Sequence, residues 1–250
     1  MAASRGLLGV QVLVTRPIDQ GSKLCRAIEA HGGIAHHCPM LDIVPLDPPA
    51  AGWWQGYDWL IFISTNAVRF ALSAGLPRQG PFKTAVIGKA TAQALEDAAL
   101  EVDVEAPPPH TSEALLGQAP FQEVLGQRVL IVKGAGGRSE LADTLTARGA
   151  YVQNVEFYRR QGPSPDAVAR LRQLLARGLN AILASSAEIV CNLQAAAGEQ
   201  RAKLHALPLV VGGARLAREA RGRGFTAVIE ASSPTDEAMV EALLLRFGRQ

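Results

Sequence analysis

Cysteine is scarce in this chain and is not arranged as a framework. The 250 residues include three cysteines, Cys25, Cys38 and Cys191, which are widely spaced and odd in number. They match neither a set of disulfides nor a CxxC metal site. This usage excludes a disulfide-stabilised secreted module and is typical of a protein from a reducing cytoplasm.

Long hydrophobic runs and one-sided charge are also missing. The apolar runs at 59–63 and 208–213 are far shorter than the ~20 residues that a membrane helix needs, and the first residues lack the apolar core of a signal peptide. The formal net charge is +2, and no run of Lys and Arg forms a basic stripe. We therefore expect a soluble cytoplasmic protein that binds neither membranes nor nucleic acid.

Familiar catalytic motifs are absent as well. The five histidines show no metal-ligand spacing beyond the pair His36 and His37, and adjacent residues of a strand point to opposite faces. There is no G-x-S-x-G nucleophile motif. The glycine-rich stretch 133–139 is neither a P-loop nor a full G-x-G-x-x-G, because Ser139 takes the last position. A metal site and a nucleotide site are both weakly supported.

What the chain does contain is a long internal repeat. The segment 12–17 returns as 129–134, the segment 60–68 as 182–190, the segment 86–90 as 210–214, and the segment 111–115 as 235–239. A repeat of this length indicates a duplicated domain rather than a solenoid. We expect two lobes of roughly a hundred residues each, and a cleft between two such lobes is a usual place for a ligand.

Short apolar runs separated by helical stretches indicate the fold class. Continuous apolar runs of this length are typical of parallel strands covered by helices on both faces. Several of the helical stretches end at a glycine, as at Gly32, Gly149 and Gly224. The predicted strands are Val10–Val14, Trp59–Ile63, Ala85–Ile87, Val102–Val104, Val129–Val132, Ala181–Ala184, Leu207–Val211 and Ala227–Ile229. The pattern predicts an α/β protein with a doubly wound, flavodoxin-like parallel sheet in each lobe.

Two segments, 35–45 and 151–163, interrupt this alternation at matching places in the two copies. If they are extended connectors, the lobes are interleaved: residues 1–34 with 164–250 form one lobe, and residues 46–150 form the other. The alternative is two lobes in series, divided near residue 127. The sequence pattern alone does not decide between them.

Small polar and basic residues follow most of the predicted strands, where a parallel sheet presents its ligand edge. One interpretation is helix N-capping. The other is binding of an anionic ligand by helix N-termini, hydroxyls and cations. The candidate binding residues are Thr15, Arg16, Ser64, Thr65, Asn66, Lys89, Thr91, Lys133, Gly136, Arg138, Ser185, Ser186, Arg215 and Thr235.

One aromatic residue distinguishes the two copies. Tyr158 lies in the second connector, at the position that Leu41 fills in the first. A phenol bordering a cleft could act as a general acid, and packing of the hinge is an equally good interpretation of its position.

Taken together and in this order, the motifs resemble the uroporphyrinogen-III synthase family over nearly the whole chain. They are 14–17, 58–68, 88–92, 112–116, 134–138 and 156–160. The resemblance implies two α/β lobes joined by a two-stranded β-ladder, which 35–45 and 151–163 would form, with the active site in the cleft between the lobes. It favours the interleaved arrangement.

The resemblance also implies an activity. Members of this family cyclise hydroxymethylbilane to uroporphyrinogen III, losing water and inverting the last pyrrole through a spiro intermediate, without a metal or an organic cofactor. The family's cleft tyrosine corresponds to Tyr158 as the acid. The chain departs from the family pattern at Lys133, where arginine is more common, and at Lys89, where proline is common.

We accordingly predict a monomeric lyase of tetrapyrrole biosynthesis. The sequence leaves open whether the chain contacts the enzyme that supplies its unstable substrate. Two other functions compete with this one: a two-lobed, non-enzymatic binding protein for a small polyanion, and a nucleotide-dependent transferase, which the incomplete glycine motif disfavours.

Overall fold

The structure, a computed structural model, describes residues 6–248. The chain divides into two compact units. Unit 1 combines the chain up to Asp42 with the chain from Gln161 onward, and unit 2 is the continuous segment Ile43–Arg160. Within the described residues, no helix has the length and apolar character needed to cross a membrane.

Strands and helices alternate along the chain. The strands are β1 (Gln11–Val14), β2 (Ile34–His37), β3 (Asp42–Pro45), β4 (Trp59–Phe62), β5 (Lys83–Val86), β6 (Val104–Glu105), β7 (Arg128–Gly134), β8 (Tyr151–Gln161), β9 (Ala181–Ala184), β10 (Leu209–Val211) and β11 (Val228–Glu230). The helices are α1 (Ile18–Ala30), α2 (Thr65–Ser73), α3 (Lys89–Asp97), α4 (Ser112–Leu116), α5 (Ala119–Gln122), α6 (Glu140–Ala147), α7 (Pro165–Arg177), α8 (Ala187–Ala197), α9 (Arg201–Ala206), α10 (Ala214–Gly222) and α11 (Asp236–Phe247), with a 3₁₀ turn at Gly198–Gln200.

Each unit contains one sheet. The sheet of unit 1 has the order β11-β10-β9-β1-β2, and all its neighbours are parallel. The sheet of unit 2 has the order β3-β8-β7-β4-β5-β6 and is parallel from β8 to β6. Unit 1 therefore has the flavodoxin-like strand order. In unit 2, β8-β7-β4-β5-β6 has the same spatial arrangement, but the chain enters it at β4 instead of at β7. The prediction of an α/β protein with parallel sheets is confirmed.

Both faces of each sheet are buried, as the continuous apolar runs indicated. In unit 1, Leu13 packs into one core, whereas Val12 and Val14 pack into the core on the opposite face. In unit 2, the neighbours Ile61 and Phe62 likewise point into different cores. Successive residues of a strand face opposite ways, so only an apolar run without polar interruptions can cover both layers.

The repeat is divided between the units. Its first copy contributes β1 and β2 to unit 1 and β4 to β6 to unit 2, and its second copy contributes β7 and β8 to unit 2 and β9 to β11 to unit 1. Each unit is thus built from half of each copy. The equivalent strands are β1 and β7, β2 and β8, β9 and β4, β10 and β5, and β11 and β6.

Most residues of the segments expected as connectors are strand residues of the two sheets. Residues 34–37 form β2 beside β1, and residues 151–161 form β8, which lies between β7 and β3. The backbone N–H of Leu46 donates to the carbonyl of Phe157 (2.9 Å), next to β3. Most β8 side chains are at least partly exposed, and this polar composition is what made a sheet strand look like a linker.

Candidate active site

The sequence-predicted polar residues gather at the carboxyl ends of the strands in each unit. The order of the strands reverses between β1 and β9 in unit 1 and between β7 and β4 in unit 2. Ligands of open α/β sheets bind outside such points. Thr15, Arg16, Ser185, Ser186, Arg215 and Thr235 belong to unit 1, whereas Ser64, Thr65, Asn66, Lys89, Thr91, Lys133, Gly136, Arg138 and Tyr158 belong to unit 2.

Several hydroxyls at these edges are helix caps. Ser64 Oγ accepts from the Ala67 N–H at the start of α2 (3.1 Å), and Ser186 Oγ accepts from the Ile189 N–H at the start of the equivalent helix α8 (3.3 Å). Thr235 caps α11 in the same way. The capping interpretation is therefore correct for these residues. Each capping hydroxyl nevertheless retains a proton that it can donate to an acceptor.

Tyr158 is buried, with 3% of its surface exposed. Its ring stacks on Phe70, with the centroids 5.6 Å apart, and its hydroxyl lies 2.8 Å from Ser64 Oγ. Among the described residues this is the only hydrogen-bond partner of the phenol. Because a buried O–H without an acceptor is costly, the phenol donates to Ser64, and the proton of the half-buried Ser64 hydroxyl is left for another group.

Two threonines predicted to bind ligand are almost completely buried. Thr15 is completely buried, and its Oγ1 donates to the carbonyl of Leu183 at a distance of 2.5 Å. Thr91 is 5% exposed on the inner face of α3. In both cases the backbone turns the side chain toward the core, and ligand binding by these two residues stays a prediction.

Arg16 is also committed within unit 1. Its guanidinium forms an ion pair with Asp236 in the first turn of α11 and donates to the carbonyl of Pro234 (2.6 Å). Both charged side chains are mostly buried. Asp236, which lies 220 residues further along the chain, is not among the residues predicted from the sequence. Arg16 therefore stabilises this edge of unit 1 instead of offering a free cation.

A cavity of about 540 Å³ lies at the carboxyl edge of unit 2. Its lining includes Lys133 and Arg138 from the glycine-rich turn and its flanks. Lys133 is 8% exposed. Within the turn, Gly136 and Gly137 have φ values of +74° and +86°, which glycine adopts readily.

Two carboxylates also line this cavity, Glu113 and Glu156. Glu156 Oε1 accepts from the Gly136 N–H (3.2 Å). A hydrogen bond with the Thr111 side chain, together with smaller contributions, lowers the pKa of the Glu113 carboxyl. Sequence analysis did not single out either carboxylate as a site residue.

The remaining candidates lie at the surface or are partly covered. Thr65, Lys89, Arg138 and Arg215 are exposed, whereas Asn66 and Ser185 are partly buried. In the part of the chain that the structure describes, no group of three or more His, Cys, Asp or Glu side chains is arranged to hold a metal ion.

A family model described as uroporphyrinogen-III synthase HemD matches residues 22–241. The chain belongs to the uroporphyrinogen-III synthase family. It is 30% identical to the uroporphyrinogen-III synthase of Escherichia coli over 94% of this chain and 100% of that protein. It is 34% identical to the one of Synechococcus elongatus over 76% of this chain and 75% of that protein.

Solved structures of this family share the fold. A uroporphyrinogen III synthase from Thermus thermophilus has a TM-score of 0.65 at 20% identity, with 95% of this chain and 99% of that chain covered. The synthetase from Helicobacter pylori has a TM-score of 0.58 at 15% identity, with 96% of this chain and 100% of that chain covered. The family resemblance inferred from the motifs is confirmed.

Proposed function

We propose that this chain is a uroporphyrinogen-III synthase, a cyclising lyase of tetrapyrrole biosynthesis. The observation that carries the proposal is the family match over residues 22–241, together with relatives of that name aligned over most of the chain. The substrate is hydroxymethylbilane, a linear tetrapyrrole with an acetate and a propionate on each ring. The location we propose is the cytoplasm.

The reaction requires little acid strength and much positioning. The C–O bond of the hydroxymethyl group breaks, and the oxygen leaves as water with a proton from the enzyme. The resulting azafulvene is stabilised by resonance. A C–C bond then forms between the azafulvene carbon and the substituted α-carbon of the last pyrrole, which gives a spiro intermediate. The bond from that α-carbon to its original methylene bridge breaks, and the methylene carbon bonds to the other α-carbon of the same pyrrole. Loss of the proton from this second α-carbon restores the pyrrole, now inverted. Holding the two chain ends together is the larger part of this catalysis.

Ser64 and Tyr158 are the groups that we assign to the proton transfer. Ser64 Oγ accepts from the Ala67 N–H and from the Tyr158 phenol, which uses both lone pairs of the oxygen. Its own proton is then directed to the leaving hydroxyl. Tyr158 acts behind Ser64 and makes it a better donor, so the acid role that the resemblance gives to Tyr158 is shared between the two residues.

Hydroxyls, backbone N–H groups and cations bind the substrate carboxylates. Each unit has a carboxyl edge with exposed basic residues, Arg215 in unit 1 and Lys89 in unit 2. The capping hydroxyls of Ser186 and Thr235 donate to acetate and propionate oxygens. A ligand with many carboxylates suits such edges better than a ligand with a single charge.

The test is to supply hydroxymethylbilane and to separate the isomers that form. Spontaneous closure gives the symmetrical type I isomer, so we expect the type III isomer only when the protein is present. Formation of type I alone, at the spontaneous rate, contradicts the proposal. It would favour the non-enzymatic alternative, a polyanion-binding protein.

We further propose that the chain acts as a monomer. Light scattering of the purified protein with and without substrate checks this, and a dimer mass contradicts it.

Contact with the enzyme that supplies the substrate is tested separately, by comparing type III yield from preformed and from enzymatically generated hydroxymethylbilane.

A further inference from the structure

Lys133 has a largely covered side chain whose ammonium has no partner in the protein. It is 8% exposed, and the described residues offer its ammonium neither a hydrogen bond nor an ion pair. The stem of the side chain is covered, whereas the ammonium is not among the buried unpaired polar atoms and therefore remains accessible. The side chain lines the cavity of about 540 Å³ at the carboxyl edge of unit 2. An anion in this cavity would supply the missing partner.

The duplication provides an internal comparison. Lys133 lies near the carboxyl end of β7, at the position equivalent to Arg16, which follows β1 117 residues earlier. Arg16 is neutralised by Asp236. The counterpart of Asp236 in unit 2 lies 124 residues earlier and is Ser112, which lines the cavity together with Lys133. The aspartate that pairs with the cation in unit 1 thus corresponds to a neutral serine in unit 2.

The space around the two cations also differs. In unit 1, a Cβ at Gly212 would lie 2.5 Å from Pro234 Cα, so the chain itself fills this edge. In unit 2, a Cβ at the equivalent Gly88 would meet nothing within 4 Å. Unit 2 therefore has a neutral residue in place of the acidic partner and open space beside Gly88, and it keeps the positive charge.

One backbone N–H group of this cavity already donates to a carboxylate of the protein. Glu156 Oε1 accepts from the Gly136 N–H (3.2 Å) in the turn with two consecutive left-handed glycines. Successive N–H groups in such turns form concave anion-binding sites. Glu156 is the register neighbour of Lys133 across β7 and β8. It is thus placed to compete with an incoming carboxylate for the same turn.

We propose that this cavity is a carboxylate-binding subsite, in which Lys133 pairs with the ligand and Glu156 is an internal competitor for the Gly136 N–H. The ligand identity rests on the proposed function, which supplies an acetate or propionate of a pyrrole ring. When it binds, the ligand carboxylate displaces Glu156 from the turn and pairs with the Lys133 ammonium. The other charges that line the cavity are Arg138, which adds attraction, and Glu113, which opposes it.

The direct test is titration of the whole chain with tricarballylate, followed through the amide ¹⁵N and ¹H shifts of Gly136. We expect saturable binding that moves this resonance. Lys133→Met should weaken binding by about tenfold or more, since it removes the charged donor. Glu156→Gln should strengthen it by about threefold or more, since it removes the competing charge.

Lys83→Met is the matched control, because Lys83 is an exposed lysine at the start of β5, at the opposite end of the same sheet. It should bind tricarballylate like the unsubstituted chain. Lys133→Met should also melt at about the same temperature, because an apolar side chain of similar length replaces the covered stem and no ion pair or hydrogen bond is lost. If Lys133 had a merely structural role, its substitution would lower the melting temperature.

The proposal is overturned if Lys133→Met binds tricarballylate as well as the unsubstituted chain, if Glu156→Gln binds it more weakly, or if neither the unsubstituted chain nor Glu156→Gln binds it. These outcomes are separate from the proposed function. Type III product without any effect of Lys133 or Glu156 on tricarballylate binding removes only the subsite. Tricarballylate binding through Lys133 with type I product alone removes only the synthase activity.

Discussion

The hydroxyl oxygens of Ser64 and Tyr158 lie 2.8 Å apart, and this hydrogen bond connects the first turn of α2 to strand β8. The serine is at the carboxyl edge and half-buried, whereas the tyrosine is almost completely buried. In unit 1, Leu41 and Ser186 occupy the equivalent positions, and leucine cannot form this bond. The pair therefore makes the two edges chemically different.

Tyr158→Phe should slow formation of the type III isomer by about tenfold. This is a small rate effect for loss of a general acid or base, and we expect it because the azafulvene forms easily. The ring and its stacking on Phe70 remain, so stability should fall by only about 1 kcal/mol. Tyr57→Phe is the control, since it loses a tyrosine hydroxyl that bonds Gln153, and its rate should not change. An unchanged rate in Tyr158→Phe would remove Tyr158 from the reaction.

Gly134→Ala should destabilise unit 2. A Cβ at this position would lie 2.6 Å from the ring of Tyr158, closer than side chains pack, and the ring also stacks on Phe70. We expect a loss of about 1–3 kcal/mol in the free energy of unfolding, measured by urea denaturation. Gly162→Ala, where nothing lies within 4 Å, should change it little. Equal stabilities of the two variants would contradict this packing.

Cys38 should react slowly with alkylating reagents. Burial raises the pKa of its thiol, whose Sγ donates to the carbonyl of Ala167 (3.2 Å). Because the thiolate is the nucleophile, alkylation by iodoacetamide in a chain with Cys38 as its only cysteine should rise at higher pH than in the same chain in urea. Coincident pH profiles would contradict the raised pKa.

The same shift has a consequence for stability. A raised pKa means that the folded state favours the neutral thiol of Cys38. Its contribution to stability is therefore complete below the pKa of the unfolded chain and is lost as the pH rises through and above that value. Urea denaturation of the single-cysteine chain and of its Cys38→Ala variant should show a difference that shrinks at alkaline pH.

The strands of the sheets could largely be predicted, because burial on both faces imposes a continuous apolar run. All eight predicted runs contain or overlap a strand, as Val129–Val132 lies within β7. Strand β8 was not recognised as part of a sheet because half-exposed strands admit polar residues. Its eleven residues include two that are buried, Phe157 and Tyr158.

The candidate site was predictable only in outline. Ser64 and Ser186 follow strands, and their place at helix N-termini could be inferred from the sequence alone. The burial of Thr15 depends on the carbonyl of Leu183, 168 residues away, and no local pattern indicates it. The difference between the surroundings of Arg16 and Lys133 could be inferred from the sequence, since aligning the repeat places Ser112 opposite Asp236. Only the structure shows that the cation in unit 1 is paired.

Removing one member of the Arg16 and Asp236 pair should be strongly destabilising. Their side chains are 14% and 11% exposed, so Arg16→Met leaves a mostly buried carboxylate without its partner. We expect a loss of about 3–5 kcal/mol in the free energy of unfolding. The same substitution at the equivalent position, Lys133→Met, removes a charge that has no partner and should not destabilise the chain.

A double-mutant cycle separates the pair from its surroundings. If Arg16 stabilises the edge mainly through Asp236, then Asp236→Asn should recover much of the stability lost in Arg16→Met, because no charge is left unpaired. The remaining loss reflects the hydrogen bond from Arg16 to Pro234. Additive effects of the two substitutions in urea denaturation would contradict a coupled pair, and equal losses in Arg16→Met and Lys133→Met would contradict the difference between the two edges.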